Sequence, residues 1–161
     1  MDLYNEEAIS KGVRVIPSCG YDSLPSDIGT FFAVNQMNKS VKKVEVFHSA
    51  SGGASGGTIE SIFLMGKLPK EMRDPFLLNP QESVSDFQRK KSADSLSIKW
   101  IEEAQKWSGL GLFSVANTRV VRRSAALMEM NQKSYGNNFV FKEYGAYASK
   151  NSARIASIGL I

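Results

Sequence analysis

Leu3-Tyr4-Asn5-Glu6-Glu7-Ala8-Ile9-Ser10-Lys11-Gly12-Val13-Arg14-Val15-Ile16 is the stretch that decides the fold class. Leu3 to Lys11 read as a short helix with Leu3, Tyr4, Ala8 and Ile9 on its apolar side, and Gly12 stands where helices stop in the left-handed conformation. Val13 to Ile16 then read as a β-branched strand. A helix that stops at glycine and passes at once into such a run is the second half of an α-to-β step, common in parallel-sheet folds. The expectation is an α/β chain, α+β in detail, in which no strand precedes this first helix.

Working outward, Pro17 opens a loop, Ser18-Cys19-Gly20-Tyr21-Asp22-Ser23-Leu24-Pro25-Ser26-Asp27, rich in the residues that start helices. Ile28, Phe31, Phe32 and Val34 give the apolar side of the helix that follows, to about Asn38. Lys43 to Ser49 alternate as a strand, with Val44, Val46 and His48 on one face and Glu45 and Phe47 on the other. A glycine-rich turn and a helix through Ile59, Ile62, Phe63, Leu64 and Met65 come next, stopping near Gly66. Asp74 to Pro80 form a turn-rich link, and Gln81 to Ser97, the most polar segment, is expected to be mobile. Trp100 and Trp107 bracket a short amphipathic piece, and Gly109 to Phe113 read as a bend or strand leading to a helix over about Asn117 to Met130. A strand over Asn138 to Ala148 and a helix from Ser152 complete the chain, which stops within an apolar segment at Ile161, as a cut chain or one docking its end into a core would.

Four places carry candidate chemistry. Gly52-Gly53-Ala54-Ser55-Gly56-Gly57-Thr58 lies between strand and helix, where backbone N–H groups point at phosphate or carboxylate, and Ser55, Gly56, Gly57 and Thr58 are the candidate substrate or anion contacts. The cluster lacks both the GxGxxG spacing and the lysine of a phosphate loop, and a tight turn explains the glycines equally. The loop Cys19, Gly20, Tyr21, Asp22, Ser23 follows a strand, where ligands sit in open α/β sheets. Asp22 and Ser23 also suit helix capping, and Cys19 is either a reactive thiol near a helix start or, more commonly, a buried inert one. His48 is a general acid or a packed imidazole with one hydrogen bond. Arg119, Arg122 and Arg123 could hold a carboxylate, Arg119 standing one helical turn from Arg122 or Arg123, with at least one of them expected on the surface.

Composition narrows the class. The 161 residues are 42% hydrophobic and 22% charged, enough for one packed core. The net charge of +4 is dispersed, and the longest basic run is Arg89-Lys90-Lys91, so a nucleic-acid partner is not expected. With one cysteine and one histidine, an intramolecular disulfide and a Cys- or His-rich metal centre are excluded, and a reducing, intracellular and most simply cytoplasmic setting fits. Neither a spanning helix nor a secretory leader is legible.

Cys19-Gly20-Tyr21-Asp22-Ser23-Leu24-Pro25-Ser26-Asp27-Ile28-Gly29 resembles the CGFDSIPSDLG segment of the saccharopine dehydrogenase-like oxidoreductases, a group that includes trans-acting enoyl reductases. The Gly-Gly-Ala-Ser-Gly-Gly-Thr cluster, Asp74-Pro75-Phe76-Leu77-Leu78, and Val120-Val121-Arg122-Arg123-Ser124 followed by Tyr135-Gly136 agree in order, so the resemblance covers nearly the whole chain. It implies a Rossmann domain that binds NAD(P), followed by a mixed-sheet domain that covers the cofactor and helps form homodimers. The family's glycine-rich fingerprint has no counterpart here. Residues 1–38 would then be the end of a Rossmann unit (helix, strand, helix), and 39–161 a substrate and dimerisation domain. Cys19, Gly20, Tyr21, Asp22 and Ser23 would lie near the nicotinamide, with the glycine cluster facing the cleft.

The resemblance implies that the chain is a portion of an NAD(P) oxidoreductase, inactive and without tight cofactor binding until joined by an upstream Rossmann domain. Two other functions are compatible with the residues: a noncatalytic dimerisation or membrane-surface scaffold, and an independent anion-binding domain built on the glycine turn. Alone, a Rossmann tail leaves Val13 to Ile16 without strand neighbours and Ile28, Phe31 and Phe32 uncovered, each large side chain forgoing roughly 1.5 to 3 kcal/mol of burial. Such a chain is expected to aggregate or to be partly molten.

Overall fold

In the computed structural model, residues 2–49, 55–67, 69–80 and 83–159 are described. Gly52, Gly53 and Ala54 of the glycine cluster, Gln81 at the start of the polar segment and the terminal Leu160 and Ile161 lie outside them. The elements in order are α1 (Asn5–Ser10), α2 (Leu24–Gln36), β1 (Lys43–His48), α3 (Gly56–Gly66), α4 (Asp86–Lys91), β2 (Trp100–Ile101), β3 (Lys106–Gly109), α5 (Ser114–Met130), β4 (Val140–Tyr147) and α6 (Lys150–Gly159). The fold is α/β around a mixed four-stranded sheet in the order β1-β4-β3-β2.

β1 and β4 run parallel, Val44 beside Phe141 and His48 beside Gly145, whereas β3 is antiparallel to both β4 and β2. Neighbouring residues in register share a face, so Val44, Val46 and His48 line up with Phe141 and Glu143. α5 packs on β4, and α2 packs on α5. Val34, Val41, Val121, Tyr135, Phe139 and Phe141 are the buried core between them, with Val44 and Val46 partly buried against it. On the other face Phe47 stacks on Tyr144, ring centroids 5.4 Å apart. Gly136 closes this core: a Cβ there would stand 2.2 Å from the Val41 carbonyl oxygen, so only glycine allows the loop to approach Val41 this closely.

Several expectations hold and others are overturned. The first helix stops with Gly12 at φ +63°, as anticipated, but Val13 to Ile16 form no strand, and Ile16 is 73% exposed. The physical reason is pairing: among the described residues no strand lies alongside to take up these backbone N–H and C=O groups, and extended residues without a ladder stay irregular. α2 forms where expected, yet it buries Ser26, Thr30 and Val34, leaving Ile28, Phe31 and Phe32 outside. The described part of the polar segment, residues 83–97, carries ordered contacts. Ser85 and Gln88 make a reciprocal cap on α4, and buried Ser92 bonds the Phe141 backbone in both directions. Trp100 and Trp107 face one another across a β2–β3 hairpin, an alternation too short to distinguish from a turn of helix.

Candidate functional site

The carboxyl end of β1 presents His48 over a buried polar network supplied by three other elements. Ser26 comes from the first turns of α2, Asn117 from the start of α5, and Glu143 from the middle of β4. Glu143 occupies a core-facing position of its strand, between Phe141 and Gly145, which is why a carboxylate ends up almost wholly buried. Ser26 Oγ donates to Glu143 Oε2 at 2.7 Å, and Asn117 Nδ2 donates to Oε1 at 2.8 Å. Ser23 Oγ in turn donates to Asn117 Oδ1 at 3.0 Å, which fixes the orientation of the amide. A buried charge is tolerable only with such partners, so the two hydrogen bonds explain how Glu143 can stand there.

His48 is the half-exposed member. Its Nε2 lies 3.0 Å from Ser26 Oγ, a hydrogen bond, and 3.6 Å from Glu143 Oε1, an ion-pair distance. Contact with the Glu143 carboxylate raises the His48 pKa above its ordinary value, first by the polar contact and also by charge, against the opposing effect of burial. His48 thus makes one hydrogen bond, as the packed-imidazole reading expects, while its side chain stays 43% exposed.

A second polar centre lies along α5. Asp94 receives Arg119 Nη1 at 3.1 Å, Arg122 Nη1 at 2.8 Å and Thr118 Oγ1 at 3.1 Å. Arg119 and Arg122 also donate to the carbonyls of Arg73 and Pro75, and Arg123 donates to that of Leu78. The arginines do hold a carboxylate, but it is the chain's own Asp94. None of the three is exposed, contrary to expectation, because the 73–78 link lies across them and offers its carbonyls. Burial lowers the Arg122 pKa, with Asp94 opposing. A cavity of about 10 Å³, room for about one water, lies between the two centres, bordered by Asp94, Thr118, Arg122 and Glu143.

Of the residues proposed to border a cofactor, Ser23 joins the His48 network through Asn117. Ser23 precedes α2 without a side-chain capping bond, so its hydroxyl serves the network rather than the helix end. Cys19, Gly20, Tyr21 and Asp22 lie on the exposed loop before it, Tyr21 at 91% exposure. Cys19 is exposed, which overturns the buried-thiol reading, since Ile16 and Pro17, whose carbonyls its Sγ meets, are on an uncovered segment. In the glycine cluster, Ser55 Oγ accepts from the Thr58 backbone N–H at 3.3 Å and lies 3.0 Å from the Thr58 hydroxyl, a cap on α3, with Gly56 and Gly57 in its first turn. Among the described residues no group of three or more His, Cys, Asp or Glu could hold a metal ion, and no helix is long and apolar enough to cross a membrane.

Relatives of this chain carry the name trans-acting enoyl reductase. A putative trans-acting enoyl reductase of Mycobacterium tuberculosis is 27% identical over 173 residues, which is 98% of this chain and 41% of the relative. Trans-acting enoyl reductases of Mycobacterium ulcerans and Mycobacterium leprae are 28% and 27% identical over 177 residues, again 98% of this chain and 41% of theirs. The chain thus spans about two fifths of the length of the curated relatives it matches. No family model and no solved structure matches it.

Ser26, Asn117 and Glu143 were not singled out from the sequence. A signal for one of them was present: Glu143 shares the period-2 register of Phe141, and a carboxylate on the core-facing side of a strand needs a partner. Ser26 and Asn117 gave none, since both read naturally as residues at a helix start.

Proposed function

We propose that this chain supplies the substrate-facing side of an NAD(P)-dependent oxidoreductase of the saccharopine dehydrogenase-like group, acting on an enoyl substrate. The observation that carries the reading is the placement of His48, at the carboxyl end of a parallel strand pair, with one ring edge engaged by a buried Ser26–Glu143–Asn117 network and the other without a hydrogen-bond partner among the described residues. Ligands of open α/β sheets gather at such strand ends. The names of the relatives, with the segment Cys19 to Gly29, support an enoyl reductase over other oxidoreductases.

NAD(P) is the cofactor this reading requires, and it would supply the hydride. The exposed loop Cys19, Gly20, Tyr21, Asp22 leads directly to Ser23 of the His48 network and suits the border of a nicotinamide ring. The phosphate cradle of a dinucleotide has no counterpart among the described residues, so a separate Rossmann portion would provide it. In this reading Ser55, Gly56, Gly57 and Thr58 stay on the substrate side.

The test is calorimetric titration with NADPH and NADH, of the chain alone and then joined to the remaining portion of a relative. The expected result is no tight binding alone, and cofactor binding with reduction of an enoyl thioester once joined. Neither binding nor turnover in the joined protein would refute the reading. A second reading, a noncatalytic dimerisation or membrane-surface scaffold, is favoured by the exposed Ile16, Phe32, Phe63 and Leu64. It would give a stable dimer or vesicle binding indifferent to cofactor.

A further inference from the structure

We propose that His48 is the proton donor of the reduction, delivering the proton on its Nδ1 to the substrate, with Glu143, Ser26 and Asn117 as positioning residues that hold Nε2. The inference rests on the oxidoreductase reading above and adds to it a named acid, a named ring nitrogen and the groups that orient it.

A serine hydroxyl has one hydrogen, and that of Ser26 is committed to Glu143 Oε2 at 2.7 Å. At the 3.0 Å contact between Ser26 Oγ and His48 Nε2, the hydrogen must therefore sit on the ring nitrogen. The neutral ring is then the Nε2–H form, with Nδ1 bare. Among the described residues Nδ1 has no hydrogen-bond partner, and the side chain is 43% exposed, so a second proton, when taken up, lies on the open edge. That proton can be transferred without disturbing the buried network.

The same count excludes a hydrolytic triad. Ser26 is buried, its hydrogen points to a carboxylate, and the histidine donates to it rather than accepting from it, the reverse of what nucleophile activation needs. A donor is what the geometry provides. In the reduction of an enoyl group, a bound reduced nicotinamide would supply the hydride for the β-carbon, becoming oxidised. His48 would supply the proton for the α-carbon: the new carbon–hydrogen bond would form as Nδ1–H breaks, the electron pair of the double bond being taken up in that new bond, and the ring would be left neutral. Solvent returns the proton to Nδ1.

Glu143 also keeps the charged ring available towards neutral pH, because its carboxylate raises the His48 pKa. The other elements at the ring add no opposing charge: α2 offers Ser26, and α5 reaches the network with Asn117, both neutral.

His48 is the only histidine, so its two ring nitrogens in a ¹⁵N-labelled chain give one unambiguous pair of NMR signals. Followed through a pH titration, the neutral ring is expected to carry its hydrogen on Nε2. Glu143→Gln should lower the ring pKa, and Ser26→Ala should let the two neutral forms mix, with circular dichroism confirming the fold of each variant. A neutral ring protonated at Nδ1, or a pKa unmoved in Glu143→Gln, overturns the proposal. In the joined, cofactor-binding protein, His48→Gln should lower kcat about 100-fold, within the range for loss of a general acid. An unchanged kcat also overturns it. Absence of any NAD(P)H-dependent reduction by the unaltered protein would instead sink the oxidoreductase reading, and the ring signals, if as expected, would show that the network itself was correctly assigned.

Discussion

The two sides of α2 invert the usual order. The side that packs towards α5 is made of Ser26, Thr30 and Val34, whereas Ile28, Phe31 and Phe32 face outward with Phe32 at 63% exposure. On β4, by contrast, the apolar residues are inside, and Phe141 is fully buried. The inward side of α2 is not even fully satisfied: Asp27 Oδ1 and Thr30 Oγ1 are buried without a partner among the described residues, and burial raises the Asp27 pKa even though Ser124 donates to its other oxygen. Val34 joins the core, and the rest of the inward side is held by the network: turning α2 to bury Phe31 and Phe32 would carry Ser26 away from Glu143 and His48.

If the packed core is centred on β4 and the outward side of α2 lies apart from it, damage to β4 should cost most. Phe141→Ala removes a fully buried ring between β1 and Val121, and an unfolding free energy lower by about 3 to 5 kcal/mol is expected from urea titration. A loss below about 1 kcal/mol would mean that the β4 core is looser than its burial implies, and the contrast with α2 would fail.

Next in size is Arg122→Ala. Arg122 joins Asp94 to α5, donates to the Pro75 carbonyl and lies over the Phe76 ring at 5.0 Å. Arg119 and Thr118 would still hold Asp94, so the expected loss is about 2 kcal/mol, the scale of a hydrogen-bonded charge rather than of a bare buried one. Hydrogen exchange should show the 73–78 link opening before the sheet does. A link that stays protected would indicate that Asp74 and Phe76 hold it without the arginine.

These comparisons also explain how much could be read in advance. Nearly every element with its own local signal was legible: the glycine stop of α1, the alternation of β1 and β4, and the long α5. What failed depended on neighbours. Val13 to Ile16 have the composition of a strand, but a strand exists only where a second one pairs with it. The outward face of α2 has a clear apolar pattern, which states that a cover is wanted and not where it comes from. Of the site, His48 and Ser23 were legible as candidates. Glu143, Ser26 and Asn117 were not, because residues 26, 117 and 143 meet only through the parallel pairing of β1 with β4 and the packing of α2 on α5.

The smallest effect on stability is the one that tests the comparison most directly. Phe32→Ser alters a side chain that is 63% exposed, so the urea midpoint should move by no more than about 0.5 kcal/mol equivalent. Association should respond far more. If α2 is turned outward to meet a cofactor-binding portion, removing the ring from the centre of Ile28, Phe31 and Phe32 should weaken docking of that portion, supplied in trans, while self-association of the chain alone declines. A loss of stability as large as that of Phe141→Ala would mean that the aromatic side is already buried in solution, by a second copy or by a different seat for α2. An unchanged midpoint with unchanged docking would leave the outward aromatics without a partner, and the Ser26 network with Val34 in the core would then be the whole explanation for how α2 lies.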